Sequence, residues 1–211
     1  MKRTVDVIVS GTALLFLSPL LAVTTLAILV SDGGPALYRA PRVGLRGRMF
    51  TMFKFRSMVP DADRRGASST AADDPRMTKV GVWMRRYKVD ELPQLWNVLI
   101  GEMSLVGPRP QVAWAVERYS EEERILLTVR PGITDPASIR FANESEILRG
   151  HPDPDRAYLE LIHPEKMRLS IEYVRTRTMA RDFQILLATA AAAVGLRHSN
   201  AVPESEGPRI V

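Results

Sequence analysis

The sequence predicts a helix-dominated α+β domain with an N-terminal membrane segment, and three patterns predict it. No residue from Val7 to Val30 is charged. The stretch MFTMFKFRSM, residues 49–58, alternates apolar with polar or basic side chains, as a half-buried strand does. Leu92, Leu95, Trp96 and Leu99 recur at helical spacing. With 211 residues the chain is long enough for one ordinary domain with its own core.

The apolar run comes first. As a helix its 24 residues would measure about 36 Å, enough to cross the hydrocarbon core. Three readings compete. A secretory signal peptide explains Lys2-Arg3 followed by apolar residues, but Asp6, the length of the run and the lack of a small-x-small cleavage site oppose it. A simple spanning helix meets a charge problem, because Lys2-Arg3 precede the run and six basic residues without an acid occupy 38–56. The positive-inside rule pulls both flanks to the cytoplasmic side. A re-entrant helix satisfies both flanks. Pro19 removes one backbone hydrogen bond at mid-run, and Ser18 can return one to the freed carbonyl. The residues alone leave spanning and re-entrant evenly balanced.

Asp32-Gly33-Gly34-Pro35 ends this segment. Residues 36–59 read as short extended pieces, with Phe53 and Phe55 on one face and Lys54 and Arg56 on the other. Residues 60–78 lack periodicity and read as a surface loop. Helices are expected over 91–101, 110–128, 155–176 and 180–195. The last ends in FQILLATAAAAVGL, too short to span and suited to the core or the membrane interface. Residues 197–211 read as a polar tail.

Composition narrows the chemistry. The formal charge is +5, yet residues 1–56 hold eight basic residues against Asp6 and Asp32. Positive charge beside the apolar run fits a membrane surface or phosphate near one, not a nucleic-acid groove. Zero cysteines exclude a disulfide scaffold, a thiolate zinc site and a thiol nucleophile. Three histidines, at 151, 163 and 198, supply a metal site poorly.

The densest segment is Arg85 to Pro110, RRYKVDELPQLWNVLIGEMSLVGPRP. Pro93 belongs to a first helical turn, so Asp90 and Glu91 fall near a helix N-terminus, where acids usually only cap. Arg85 and Arg109 lie close enough in sequence to converge there, and paired guanidinium groups match phosphate. Adjacent carboxylates also seat Mg²⁺, which shares oxygen ligands with substrate phosphates. With no Ser-His or Cys-His pair, a carboxylate is the best nucleophile candidate.

Lys2-Arg3 before the apolar run, Ser18-Pro19 within it, MFKFRSM, DDPRMTKVG (73–81), VDELPQLWNVLIGEMSLVGPRP (89–110) and RPGIT (130–134) follow one another in order. Together they closely resemble the bacterial sugar transferase family, the monotopic phosphoglycosyl transferases that begin glycan assembly on a polyprenyl phosphate. The likeness runs from residue 2 to about 134 and more weakly through YVRTRTMARDFQILLAT. It implies the small, minimal-domain form: a re-entrant helix over 1–33, a cytosolic catalytic domain with interface-lying helices over 34–196, and the tail 197–211. It implies transfer of a sugar-1-phosphate from a UDP-sugar to undecaprenyl phosphate, with release of UMP, Mg²⁺ as cofactor, and a ping-pong route at the cytosolic face of the bacterial inner membrane. By the same resemblance Asp90 is the nucleophile and a metal ligand, and Glu91 is its base or positioner. Arg85, Arg109 and Lys54 handle phosphate, and Lys2, Arg3, Ser18 and Pro19 form the anchor and bend. The implied partners are the UDP-sugar, the polyprenyl phosphate and membrane lipid, with a homo-dimer admitted and nucleic acid excluded.

One departure stands out. Where many members continue RPGIT with Gly-Trp-Ala-Gln-Val, this chain has Asp135-Pro136-Ala137-Ser138-Ile139, in a region expected to bear on the nucleotide or sugar. Two rivals remain. A one-step transferase would use Asp90 only as a Mg²⁺ ligand, and a membrane-anchored basic binding protein would tolerate Asp90→Asn.

Overall fold

The computed structural model describes residues 1–62, 66 and 69–193. The polar tail expected over 197–211, and the end of the 34–196 segment, lie outside the described residues.

Helix α1 (Lys2–Asp32) runs unbroken through Pro19 and stops at Gly33, whose φ of 63° turns the chain while its N–H bonds the Leu29 carbonyl. At about 1.5 Å per residue its 31 residues measure about 46 Å. Asp6, Ser10, Thr24 and Ile28 are buried, and Ala13, Leu14, Leu17 and Leu21 pack against the core between them. That i, i+3/i+4 stripe faces the rest of the protein. The opposite face exposes Leu15, Phe16, Val23, Leu26 and Val30. The helix is thus apolar on both faces, and its few polar residues Asp6, Ser10 and Thr24 lie on the inner one.

After Gly34 the predicted extended pieces form an antiparallel hairpin, β1 (Leu37–Val43) with β2 (Met49–Phe55), in register from Leu37–Phe55 to Val43–Met49. The 60–78 loop returns to an isolated bridge between Met58 and Met77, next to an Arg76–Asp74 ion pair at 2.6 Å. Helix α2 (Lys79–Arg86) is capped by Thr78, which accepts from the Gly81 N–H. Helix α3 (Gln94–Ile100) leads into β3 (Ser104–Val106), which pairs in parallel with β4 (Gly132–Thr134). Leu95, Val98, Leu105 and Val106 join Ala40 and Met52 of the hairpin, Ile171 and Val174 of α8 (His163–Thr176), and Ile185 of α9 (Met179–Ala193) in the main core.

Three helix expectations are revised. The helix over 91–101 begins only at Gln94, with Pro93 as its cap and Asp90-Glu91 in a separate 3₁₀ turn, Val89–Glu91. Its buried face is Gln94, Leu95, Asn97 and Val98, while Trp96 is half exposed, because β2 and α1 pack on α3 from different sides. The helix over 110–128 splits into α4 (Ala113–Val116) and a 3₁₀ stretch at Glu123–Thr128. Ser120 and Glu123 bond each other's backbone N–H, a capping box that starts a new turn. The helix over 155–176 splits into α7 (Pro154–Leu161) and α8, since Pro164 is tolerated only in a first turn. Helices α5 (Pro136–Arg140) and α6 (Glu144–Ile147) fall where the sequence offered no periodicity.

Candidate functional site

The site is built on the 3₁₀ turn between α2 and α3. Lys88 takes a left-handed conformation (φ 56°) that reverses the chain, and Val89 is driven into an apolar cluster with Ile28, Phe55 and Met84. Asp90 and Glu91 are thereby pinned.

Glu91 receives three hydrogen bonds from two cations. Arg109 forks onto it, NH2 to Oε1 at 2.6 Å and NH1 to Oε2 at 3.3 Å, and Lys54 Nζ reaches Oε1 at 3.2 Å. Burial alone would raise the Glu91 pKa, but the charges of Arg109 and Lys54 outweigh it and hold the carboxyl well below its ordinary range. Burial pulls the Lys54 pKa down against the Glu91 charge, and Glu91 raises that of Arg109 above its usual value.

Both cations are placed by backbone features distant in sequence. Asn97, fully buried on α3, accepts from the Phe53 N–H at 3.0 Å and donates to the Thr51 carbonyl at 2.7 Å. It thus fixes the strand carrying Lys54. Arg109 is carried by the GPRP turn, which meets RPGIT backbone to backbone: Ser104 N–H bonds the Pro131 carbonyl, Gly107 N–H that of Thr134, and Gly132 N–H that of Pro108. A Cβ on Gly132 would lie 2.1 Å from the Gly107 nitrogen, so both positions require glycine.

Asp90 differs from its neighbour. It is 6% exposed, and neither of its oxygens accepts a hydrogen bond from a described residue. Burial, then the Glu91 charge, raises its pKa above the usual aspartate value. Arg85, the third cation expected here, makes no ion pair among the described residues. Its NH1 contacts Met77 Sδ at 3.5 Å, and its charge is felt at Asp90 without direct contact. A buried carboxylate without a partner is costly and fits a ligand that binds there. Mg²⁺ fits this donor set in one way: Asp90 offers oxygen, Glu91 is committed to Arg109 and Lys54, and the described residues hold no cluster of three or more ligating side chains. The remaining ligands must come from substrate phosphate and water.

The anchor residues lie elsewhere. Ser18 Oγ donates at 2.8 Å to the Leu15 carbonyl, the one that Pro19 leaves without its helical donor. Lys2 donates to the Val106 carbonyl at 3.0 Å and pairs with Asp182. Arg3 grips the carbonyls of Val98 and Leu99 at the end of α3. Asp182 also accepts from Tyr173 at 2.6 Å, and Asp6 accepts from Ser104 Oγ and the Leu105 N–H. Sequence reasoning missed Asn97, Asp6, Tyr173 and Asp182. Only Asp6 signalled itself, as an acid at the mouth of an apolar run.

At the departure after RPGIT, Asp135 caps α5. It accepts from Ser138 N–H and Oγ, both at 2.7 Å, and from Ser170 Oγ at 2.9 Å. A shallow cleft opens beside it, with Arg109, Tyr158 and Lys166 in its wall.

Two cations, Arg109 and Lys54, thus converge on the Glu91 carboxylate, next in sequence to Asp90, whose Oδ1 accepts no hydrogen bond from a described residue. The chain belongs to the bacterial sugar transferase family, whose model matches residues 1–195. It is similar to an undecaprenyl-phosphate glucose phosphotransferase of Komagataeibacter xylinus, 39% identical over 199 residues that cover 89% of this chain and 35% of the relative. It is also similar to a UDP-glucose:undecaprenyl-phosphate glucose-1-phosphate transferase of Caulobacter vibrioides, 37% identical over 191 residues, 89% of this chain and 67% of the relative. A UDP-N-acetylgalactosamine-undecaprenyl-phosphate N-acetylgalactosaminephosphotransferase of Aeromonas hydrophila is 37% identical over 75% of this chain and 39% of its own length. The chain spans little more than a third of the first and third of these proteins.

Proposed function

We propose that this chain moves a sugar-1-phosphate from a UDP-sugar to undecaprenyl phosphate, releasing UMP, by two displacements through an Asp90 phosphosugar intermediate. The observation that carries the reading is the buried Asp90, whose Oδ1 accepts no hydrogen bond from a described residue, beside the Glu91–Arg109–Lys54 cluster. In the first step an Asp90 oxygen attacks the sugar-bearing phosphorus. The bond from that phosphorus to the bridging oxygen breaks, and its electron pair leaves with UMP. In the second, an oxygen of the lipid phosphate attacks the same phosphorus and Asp90 regains its carboxylate. No proton moves in either step. Arg109 and Lys54 attract the diphosphate, and Glu91 holds them in place; its depressed pKa makes it a weak proton acceptor, and neither step calls for one. Mg²⁺, which Asp90 and substrate phosphate would hold, would supply the charge screening that lets one anion approach another.

The same reading makes the protein monotopic, on the cytosolic face of the inner membrane, with α1 re-entrant. Lys2 and Arg3 at one end of α1 and Ile28 near the other dock on the same domain, which fits both ends on one side of a bilayer. The exposed apolar face of α1, with Trp96 and Ile100 of α3 and Phe183 and Leu187 of α9, fits burial in lipid. Because the chain has no cysteine, Thr4→Cys and Leu37→Cys report cleanly on sidedness, and labelling from opposite faces would overturn the re-entrant arrangement.

The chemical test is intact-protein mass after incubation with Mg²⁺ and a panel of UDP-sugars, without lipid acceptor. The expected result is an added sugar-phosphate that is absent in Asp90→Asn. UMP release that needs lipid, with no adduct from any donor, would establish one-step transfer instead.

A further inference from the structure

The acid pair opens a polar stripe along one side of the 89–100 segment. Gln94 lies three and four residues beyond Glu91 and Asp90, and Asn97 three beyond Gln94, the spacing that stacks side chains on one helical face. Two members of the stripe are saturated. Glu91 accepts three hydrogen bonds from Arg109 and Lys54. Asn97 accepts from the Phe53 N–H and donates to the Thr51 carbonyl and the Glu102 carboxylate. The other two are not. Asp90 Oδ1 and both terminal atoms of Gln94, Oε1 and Nε2, are sealed from solvent without a partner among the described residues. The whole Gln94 residue is 1% exposed.

A buried amide usually braces backbone, as Asn97 does by holding β2. Gln94 braces none of the described residues, so its polar atoms carry a desolvation cost that an apolar side chain would avoid. Two features say what the amide is for. A helical side chain leans toward the N-terminus, over residues i−3 and i−4, which here are Glu91 and Asp90. Glu91 is already engaged, so Asp90 Oδ1 is the vacant acceptor one turn from a vacant donor. Both groups sit at the ends of rotatable side chains, and torsional adjustment can join them while the backbone stays still.

We propose that Gln94 is a positioning residue for Asp90, its Nε2 donating during turnover to Oδ1, the oxygen that does not attack. The role rests on the two-step reading above and adds to it. With Oδ1 held, Oδ2 is the oxygen that meets the phosphorus. Once the bond from Oδ2 to phosphorus has formed, Oδ1 is the carbonyl oxygen of a mixed anhydride. In the second step an oxygen of the lipid phosphate bonds to that phosphorus, the bond to Oδ2 breaks, and its electron pair returns to the carboxyl. The charge spreads over both oxygens, and an N–H already fixed at Oδ1 meets it as it develops.

The test is single-turnover kinetics on the detergent-solubilised full chain, read by intact-protein mass. The phosphosugar adduct is built with Mg²⁺ and a UDP-sugar, and undecaprenyl phosphate is then added. Gln94→Met is close to glutamine in length and lacks the donor. It is expected to form the adduct, to discharge it about tenfold or more slowly than wild type, and to leave KM for both substrates within about threefold. Its Tm is expected at or above that of wild type, because two sealed, unpartnered polar atoms are gone. Gln94→Leu is expected to behave alike. Discharge at the wild-type rate in these variants would overturn the role and leave the two-step reading standing. A lowered Tm with both KM values raised would also overturn it, and make Gln94 a packing residue. A wild-type chain that forms no adduct with any donor would overturn the two-step reading and this role together.

Discussion

Asp90 and Glu91 are adjacent carboxylates, yet neutralising them is expected to shift stability in opposite directions. Glu91→Gln leaves Arg109 and Lys54 facing each other without their shared counter-charge. Breaking a buried ion pair from one side costs about 3–5 kcal/mol. The side chains here are 16–34% exposed, so solvent screening cuts the figure to about 2–3 kcal/mol. For a chain of this size that lowers Tm by about 4–12 °C. Asp90→Asn instead removes a buried charge that no described residue satisfies, a relief on the order of 1 kcal/mol and about 2–4 °C upward in Tm. The pH dependences differ too. The Glu91 pKa is depressed on folding, so its contribution is full above the unfolded glutamate pKa and is lost as pH falls through the folded value. The Asp90 pKa is raised, so its penalty is absent at low pH and grows as pH rises from the unfolded value through the folded one. Thermal unfolding of the detergent-solubilised variants across pH 4–8 measures both. Equal shifts of the same sign, or an Asp90→Asn protein less stable than wild type at pH 8, would refute the reasoning.

Asn97→Leu strips the Phe53 N–H and Thr51 carbonyl of their partner, and is expected to cost about 2–4 kcal/mol in denaturant unfolding and to lower kcat through a misplaced Lys54. Gly132→Ala forces a Cβ to 2.1 Å from the Gly107 nitrogen, and should cost about 3 kcal/mol or more and abolish UMP release by shifting the Arg109 turn. The acid limb of the pH–rate profile should lie above the ordinary aspartate range, because Asp90 attacks only when ionised and its pKa is raised. Lys54→Met, which removes a charge that lowers that pKa, should move the limb to still higher pH.

Features that depend on nearby residues were legible in the sequence. The 24-residue run, the period-two strand and the Ser18-Pro19 pair are local, and each has its counterpart in α1, in β2 and in the Ser18–Leu15 hydrogen bond. The acid pair was legible as well, though its setting was not: a helix N-terminus was expected, and a 3₁₀ turn held by Val89 is found. What eluded the sequence depends on long-range pairing. Asn97 reads as a polar break in an apolar stripe until β2 is laid against it, 46 residues earlier in the chain. The glycines of GPRP and RPGIT look like independent turns until β3 and β4 bring the two backbones together. The split of 110–128 is written in Ser120 and Glu123, whose reciprocal backbone bonds show only once the turn is formed.

The charge asymmetry of the first quarter has the same lesson and a sharper consequence. Its eight basic residues look like one membrane-facing set, but Lys2 pairs with Asp182, Arg3 grips α3 carbonyls, Lys54 pairs with Glu91, and Arg56 is 7% exposed. Half of the set is internal structure, while Arg39, Arg46 and Arg48 of the hairpin region are exposed. A double-mutant cycle separates the two roles. If Lys2 ties α1 to the domain, Lys2→Met and Asp182→Asn each destabilise, while the pair together costs less than the sum by about 1–2 kcal/mol, since each single change strands the other partner. If Lys2 instead serves the lipid headgroups, the two costs add within about 0.5 kcal/mol and only Lys2→Met weakens binding to anionic vesicles. Additivity in unfolding would therefore return Lys2 to the membrane-facing set and leave Asp182 held by Tyr173 alone.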